Sequence, residues 1–173
     1  MAVGDLGKIF TSPDLVTWTA VAPLTGSDLY NVSFPKDTFV ATGAGGTLLT
    51  SPDGSNWTAQ NSTVSTALRG AAFGTGSTAA GASYVVVGDA GTILTSADGT
   101  TWNLTTLSSP QNLRGITFGS RFVAVGQGST VAYSDDTINW VQAPSNSGDL
   151  AAILSTPAMY VAVGASGANA VSK

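Results

Sequence analysis

TSADGTTW, at residues 95–102, is one of four versions of a single phrase in this chain of 173 residues. The others are TSPDLVTW at 11–18, TSPDGSNW at 50–57 and YSDDTINW at 133–140. They share the pattern Ser-x-Asp-x-x-x-Trp, and all four tryptophans of the protein lie in it. A fixed phrase that returns roughly every 40 residues indicates a repeat architecture.

Each repeat contains four short apolar segments, which glycine, serine, aspartate or proline bounds. The segments are rich in β-branched and aromatic residues and show no 3.6-residue period, which predicts strands joined by turns and essentially no helix. Four strands in about 40 residues are typical of one propeller blade. We therefore expect an all-β fold, a β-propeller that forms a single domain over residues 1–173.

The shared phrase falls between the third and fourth strands, where it suits a tight turn. Serine and aspartate side chains can bond to their own backbone there, and Gly54 and Gly99 allow a positive φ. The tryptophan is expected to pack over the hairpin and against the next sheet. We expect a structural role for Asp14, Trp18, Asp53, Trp57, Asp98, Trp102, Asp136 and Trp140. No metal is expected, because one carboxylate per turn falls short of the ~6–8 oxygens that calcium binds.

This constellation resembles the Asp-box, or bacterial neuraminidase repeat, of sialidases, photosystem II assembly propellers and related β-propellers. The run GTILTSADGTTW at 91–102 is close to the usual form, whereas Leu15 and Thr137 stand where the motif usually has glycine. The resemblance covers the whole chain and implies the propeller fold. It implies little about chemistry, because such propellers serve unrelated functions.

Composition argues against an enzyme. The chain has no Cys and no His, and its acidic residues are all Asp, so it lacks an ordinary general base near neutrality, a zinc-ligand set and a thiol nucleophile. The sialidase resemblance implies three arginines on a carboxylate and a Tyr nucleophile supported by Glu. Here Arg121 begins a second strand and should lie at the opposite end of its blade from Arg69 and Arg114. We expect no catalysis and no cofactor, although a paired-Asp glycosidase using Asp28 and Asp149 stays open.

Charge and hydropathy argue against two kinds of partner, nucleic acid and the membrane interior. Six basic residues against ten acidic ones, with a pI near 4.3, give no positive stripe for nucleic acid. No apolar run is long enough for a membrane span. Charge-poor, Ser/Thr/Gly-rich strands without thiols suit an extracellular or cell-envelope protein. Met1 leads straight into a repeat, so no signal peptide is visible and the chain reads as an excised piece or a mature product.

Candidate ligand-binding residues follow from propeller geometry. The first strand of each blade lies nearest the axis, and it begins on the face opposite the Ser-x-Asp turns. These starts read Asp28-Leu29-Tyr30, Ala67-Leu68-Arg69, Asn112-Leu113-Arg114 and Asp149-Leu150-Ala151. The constant leucine should be core, whereas its variable polar neighbours would suit a sugar or small anion. The candidates are Asp28, Tyr30, Arg69, Asn112, Arg114 and Asp149; alternatively, the two arginines only pair with carboxylates or coat the rim.

The sequence therefore predicts a non-catalytic binding or adhesion module, lectin-like, that takes carbohydrate or another small polar ligand through the funnel face. The alternative is a structural repeat segment, or an engineered propeller fragment, with no ligand of its own. A glycan array separates the two.

The blade count depends on the two ends, because Met1–Ser12 and Tyr160–Lys173 are equivalent parts of the repeat. Five blades with two partial terminal ones are favoured. Four blades closed by the N-terminal strands, with a surplus hairpin, are the alternative. A third option is that the surplus strands pair with another copy, since unpaired strand edges recruit strands. In each case we expect both ends to be ordered within sheets.

Overall fold

The computed structural model describes residues 1–76, 81–143, 145 and 148–172. These residues form five antiparallel sheets. The first sheet contains β1 (Ala2–Val3), β2 (Ile9–Thr11) and β3 (Thr19–Val21). The second contains β4 (Leu29–Ser33), β5 (Phe39–Gly43), β6 (Leu48–Ser51) and β7 (Thr58–Ala59). The third contains β8 (Leu68–Thr75), β9 (Ala82–Gly88), β10 (Thr92–Ser96) and β11 (Asn103–Thr106). The fourth contains β12 (Leu113–Phe118), β13 (Phe122–Gly126), β14 (Val131–Ser134) and β15 (Val141–Ala143), and the fifth β16 (Leu150–Ser155), β17 (Tyr160–Gly164) and β18 (Asn169–Ser172).

Each sheet is a meander in which neighbours in sequence pair with one another. The predicted β-propeller architecture is confirmed, and it has the favoured arrangement of five sheets with two partial ones. Among the described strands, the first sheet has no innermost strand and the fifth has no outermost strand. The N-terminal strands form a sheet of their own and do not complete the fifth sheet. Lys173, the last residue of the equivalent C-terminal segment, lies outside the described residues.

Helical structure in the described ranges is limited to three-residue 3-10 turns between second and third strands: Asp5–Gly7, Ala44–Gly46, Asp89–Gly91 and Ala165–Gly167. In that part of the chain, no helix is long and apolar enough to cross a membrane.

The core lies between successive sheets, so each central sheet buries both faces. We call the side toward the preceding sheet the leading face and the side toward the following sheet the trailing face. In the third sheet, Tyr84 and Val86 lie on the leading face, and Val85 and Val87 lie on the trailing face, because side chains alternate along a strand. The trailing-face valines pack against Phe122 of the fourth sheet.

The innermost strands hold the sheets together around the axis. Each begins with a leucine that is almost fully buried, as the sequence predicted: Leu29, Leu68, Leu113 and Leu150. Burying one leucine side chain contributes about 1.5–3 kcal/mol, so this row anchors the face on which the variable residues stand.

Candidate functional site

The Ser-x-Asp turns are closed by their own side chains. In the third sheet, Asp98 Oδ1 accepts hydrogen bonds from the backbone N–H groups of Thr100 and Thr101, both at 2.8 Å. Ser96 Oγ donates to the same oxygen at 3.0 Å and accepts from the Gly99 N–H at 2.8 Å. The turns that hold Asp14, Asp53 and Asp136 repeat this pattern.

These hydrogen bonds favour the charged carboxylate. The Thr17 and Val16 N–H groups, with Ser12, lower the pKa of Asp14 to about 2. The Asn139 backbone N–H and side chain lower the pKa of Asp136 to about 2 as well. The pKa values of Asp53 and Asp98 are also far below the ordinary value, chiefly through the backbone N–H groups of Asn56 and Thr101 respectively.

The residue after each turn aspartate adopts a left-handed conformation. Gly54 and Gly99 have φ of 75° and 76°, and the two non-glycine residues, Leu15 and Thr137, have φ of 64° and 66°. The turn therefore imposes the conformation whether or not glycine supplies it. A side chain in this conformation costs roughly 1–2 kcal/mol.

The tryptophans pack in the direction opposite to the one expected from the sequence. Trp102 lies in the core with Val40 and Leu48 of the second sheet, which precedes its own. Trp140 likewise packs against the core that the third and fourth sheets share. The expectation that each ring lies against the next sheet is thus wrong, because the hairpin places the ring on the leading face.

On the opposite face, each innermost strand carries a β-bulge directly after its leucine. The extra residue in these bulges is Tyr30, Arg69, Arg114 or Ala151, which are the variable positions that the sequence singled out. Bulges re-aim a side chain and are common beside functional sites. We call these four residues the bulge row.

Three of the predicted ligand-binding residues hold the scaffold together. The Oδ1 atoms of Asp28, Asn112 and Asp149 accept from a backbone N–H in the preceding sheet's second-to-third turn, at 3.0, 2.9 and 2.8 Å. Their backbone oxygens accept from the matching turn of their own sheet. Each of these residues therefore fastens two sheets, and Ala67, at the same repeat position, has no side chain that could do so.

Arg69 is already paired. Its guanidinium makes a two-point hydrogen-bonded ion pair with Asp89, with Nη2 and Oδ2 2.8 Å apart, and lies 5.0 Å from the centre of the Tyr30 ring. The hydrogen bond to Asp89 raises the pKa of Arg69. Sequence reasoning missed Asp89, although it begins a second-to-third turn, which propeller geometry places on this face.

Arg114 differs from Arg69 in its surroundings. It is half-buried, and among the described residues no carboxylate lies within 4.0 Å of its nitrogens. Gln127 occupies the repeat position that Asp89 has in the third sheet, so the equivalent partner is neutral. The bulge row thus combines one neutralised arginine with one arginine whose charge is unpaired within the described part of the chain.

The third arginine lies elsewhere. Arg121 pairs with Asp135, the middle residue of the fourth Ser-x-Asp turn, at 3.1 Å, and its guanidinium lies 4.7 Å from the centre of the Tyr133 ring. As predicted, it is at the other end of its sheet, so the three arginines do not converge.

Asp28 and Asp149 bond to turns of the first and fourth sheets respectively. In the described ranges, no three acidic, His or Cys side chains form a group that could hold a metal ion.

A cleft of about 660 Å³ opens between the fourth and fifth sheets, away from the bulge row. Val123, Tyr133 and Tyr160 are among its lining residues. Its origin is architectural, because the fifth sheet, as far as the structure describes it, has no outermost strand and no tryptophan to fill the space that Trp140 fills between the third and fourth sheets. Because the cleft results from the missing strand, we place the candidate ligand site at the bulge row, which carries Tyr30, Arg69 and Arg114.

No protein-family model matches the chain, and no curated protein is significantly similar to it in sequence. Solved structures do match its fold. A structure of YCF48 bound to D1 peptide superposes with a TM-score of 0.60 at 20% identity, covering 91% of this chain and 54% of that one. Virginiamycin B lyase from Staphylococcus aureus gives 0.71 at 11% identity, covering 96% and 63%. YCF48 from Cyanidioschyzon merolae gives 0.67 at 17% identity, covering 91% and 57%.

These neighbours are β-propellers, and at such identities the likeness shows the fold alone. This chain spans between 54% and 63% of their lengths. One of them is named as an enzyme and another is recorded with a peptide, so the shared scaffold does not select a chemistry.

Proposed function

We propose that this chain is a non-catalytic recognition module that binds an acidic carbohydrate at the bulge row. The observation that carries the proposal is the half-buried Arg114, which no described carboxylate pairs, on the same face as the Tyr30–Arg69–Asp89 cluster. An arginine fork binds a carboxylate or sulfate group in two-point fashion.

The neighbouring residues supply what a sugar ring needs. Tyr30 is exposed and offers an apolar ring, on which a sugar can lie. Asp89 retains lone pairs that can accept hydrogen bonds from hydroxyl groups, even while both of its oxygens bind Arg69. The leucine row anchors the strands that carry Tyr30 and Arg69, and the ion pair with Arg69 holds Asp89 beside them.

A peptide is the second candidate ligand, because one of the similar structures contains YCF48 bound to D1 peptide. An acidic peptide would use the same guanidinium of Arg114. Both candidate ligands would bind to Arg114, so they are distinguished by whether glycans or peptides bind to the protein.

The test is a screen of one array of acidic and neutral glycans and one of acidic peptides, with the unaltered protein and two variants. Arg114→Ala should weaken binding roughly 10- to 100-fold, as loss of a charge-assisted hydrogen-bonded contact does. Arg121→Ala removes the same charge at the opposite end of a sheet and should leave binding unchanged. The proposal fails if Arg114→Ala binds as tightly as the unaltered protein, and a protein that binds neither array supports the scaffold alternative.

We also infer that the four turns are Asp-boxes with a purely structural role. Their support is the repeated Ser–Asp–backbone network and the left-handed residue after each aspartate. Asp98→Asn should then lower the melting temperature and leave ligand affinity unchanged. A change in affinity without loss of stability would contradict this role.

We propose an extracellular or cell-envelope location for the module, which the charge-poor, thiol-free composition supports. Fractionation of source cells with an antibody against the chain tests it. Recovery in the cytosolic fraction would contradict it.

A further inference from the structure

The fifth sheet exposes an apolar face that the same fold buries elsewhere. Leu154, Val161 and Val171 stand in one row across its three strands, on the trailing face. Leu154 is 54% and Val171 60% exposed. Val163, on the same face, is 52% exposed, whereas Val87 and Val125 at the same repeat position are 0% exposed.

The molecule itself shows what covers such a face. In the third sheet, the trailing-face residues Val85 and Val87 are buried by the leading face of the fourth sheet, which brings Phe122 and Trp140. The second sheet repeats this arrangement, since Val40 is buried in the core that contains Trp102. The partner of a trailing face is therefore a leading face that carries a tryptophan.

Within the described residues, the leading face of the first sheet has no such partner. In the first sheet, Ala2, Phe10 and Ala20 form a row across three strands, and Trp18 follows the turn on the same sheet. Trp18 is 43% exposed, whereas the equivalent Trp102 is 6% exposed. Ala2 and Ala20 are exposed as well. Neither end face carries a charged residue in its row, as is typical of the buried centre of an interface.

We propose that these two faces bind each other between copies, so that the fifth sheet of one chain receives the first sheet of a second copy. Trp18 then occupies the place that Trp102 and Trp140 have inside the chain. The occupant is a second copy, because both faces are open to solvent in the same molecule and so its own ends do not cover each other. The contact is head-to-tail, so an open assembly keeps one free leading face and one free trailing face, at which it can close into a ring or grow into a filament.

The test uses one variant per face. Phe10→Arg blocks the leading face of the first sheet, and Val163→Arg blocks the trailing face of the fifth. Leu104→Arg is the matched control, because Leu104 is 49% exposed but lies on the outermost strand of the third sheet. Circular dichroism and thermal melting first establish that each variant is folded. A second, milder variant, Val163→Thr, introduces the residue that the second sheet has at this position as Thr42.

Mass is then measured against concentration by light scattering and sedimentation. The unaltered protein and Leu104→Arg should grow in mass with concentration, whereas Phe10→Arg and Val163→Arg should each stay monomeric. Val163→Thr should shift self-association to higher concentration. An equimolar mixture of the two arginine variants should form a dimer of one copy each, because one retains the trailing face and the other the leading face.

Shielding of Trp18 from iodide should accompany the rise in mass. Unaltered protein that stays monomeric at every concentration overturns the proposal. It is equally overturned by a monomer in which Trp18 is shielded, since the chain's own fifth sheet would then be the occupant. Arginine variants that associate like the unaltered protein, or a mixture that remains monomeric, also overturn it.

Discussion

The third and the first sheet have the same Ser-x-Asp-x-x-x-Trp phrase but differ in what surrounds it. Both turn aspartates accept from two backbone N–H groups at 2.8–2.9 Å. The tryptophans that follow nevertheless differ sevenfold in exposure, 43% for Trp18 and 6% for Trp102. This difference shows that the Ser-x-Asp-x-x-x-Trp phrase determines the turn, whereas burial of its tryptophan ring requires a preceding sheet.

The largest expected difference between the two sheets is the stability lost when each tryptophan ring is removed. Trp102→Ala should destabilise the protein by about 3–5 kcal/mol, because it leaves a cavity between the second and third sheets. Trp18→Ala, measured at a concentration where the chain is monomeric, should cost less than about 1 kcal/mol. Urea unfolding followed by circular dichroism measures both, and similar losses would show that burial is not what separates the two sheets.

Glycines at the end of the second strand give the next largest contrast. A Cβ on Gly126 would collide with the backbone oxygen of Asn112, whereas a Cβ on Gly4, the equivalent residue of the first sheet, meets nothing within 4 Å. Gly126→Ala should therefore destabilise by about 1–3 kcal/mol. Gly4→Ala should be neutral or slightly stabilising, since Gly4 has an extended φ of −169°. Thermal melting of both variants decides whether the missing innermost strand frees this position.

The pH dependence of the melting temperature should also differ between the first sheet and the inner sheets. The folded-state pKa values of the turn aspartates lie below the ordinary value near 4, so their contribution is present above that pH. It is lost as the pH falls from about 4 through about 2, and the melting temperature should drop in that window. Asp136→Asn should flatten the drop more than Asp14→Asn, because the first sheet has one neighbour and can open locally. Equal flattening would mean that the first sheet unfolds together with the rest.

The smallest effect concerns the left-handed residue of the turn. Leu15 is exposed and has φ of 64°, where Gly99 stands in the third sheet. Leu15→Gly should relieve the strain and stabilise the first sheet by up to about 1 kcal/mol, after allowance for the entropy that glycine loses. Amide hydrogen exchange in β2 and β3 measures it locally. Faster exchange in the variant would show that the leucine side chain contributes more than its conformation costs.

Much of the fold could be predicted from the sequence because it depends on local signals. The tryptophan period gave the repeat, and the leucine before each variable residue marked the buried row. The ties made by Asp28, Asn112 and Asp149 could not be predicted, since each joins atoms more than 20 residues apart whose approach depends on how adjacent sheets pack. Tryptophan direction was misjudged for the same reason, and the bulges were missed because no residue type marks them here.

The hydrogen bonds that Asp28, Asn112 and Asp149 make between sheets have a mechanical consequence. Where one of these residues precedes an innermost strand, it transmits a displacement of one sheet to the next. Ala67 leaves the joint between the second and third sheets without this side-chain tie. Tyr30 and Arg69 meet across it. A ligand that binds both side chains would supply the link that Ala67 does not, and slower amide exchange at Gly45, whose backbone N–H has no side-chain acceptor at position 67, would register it.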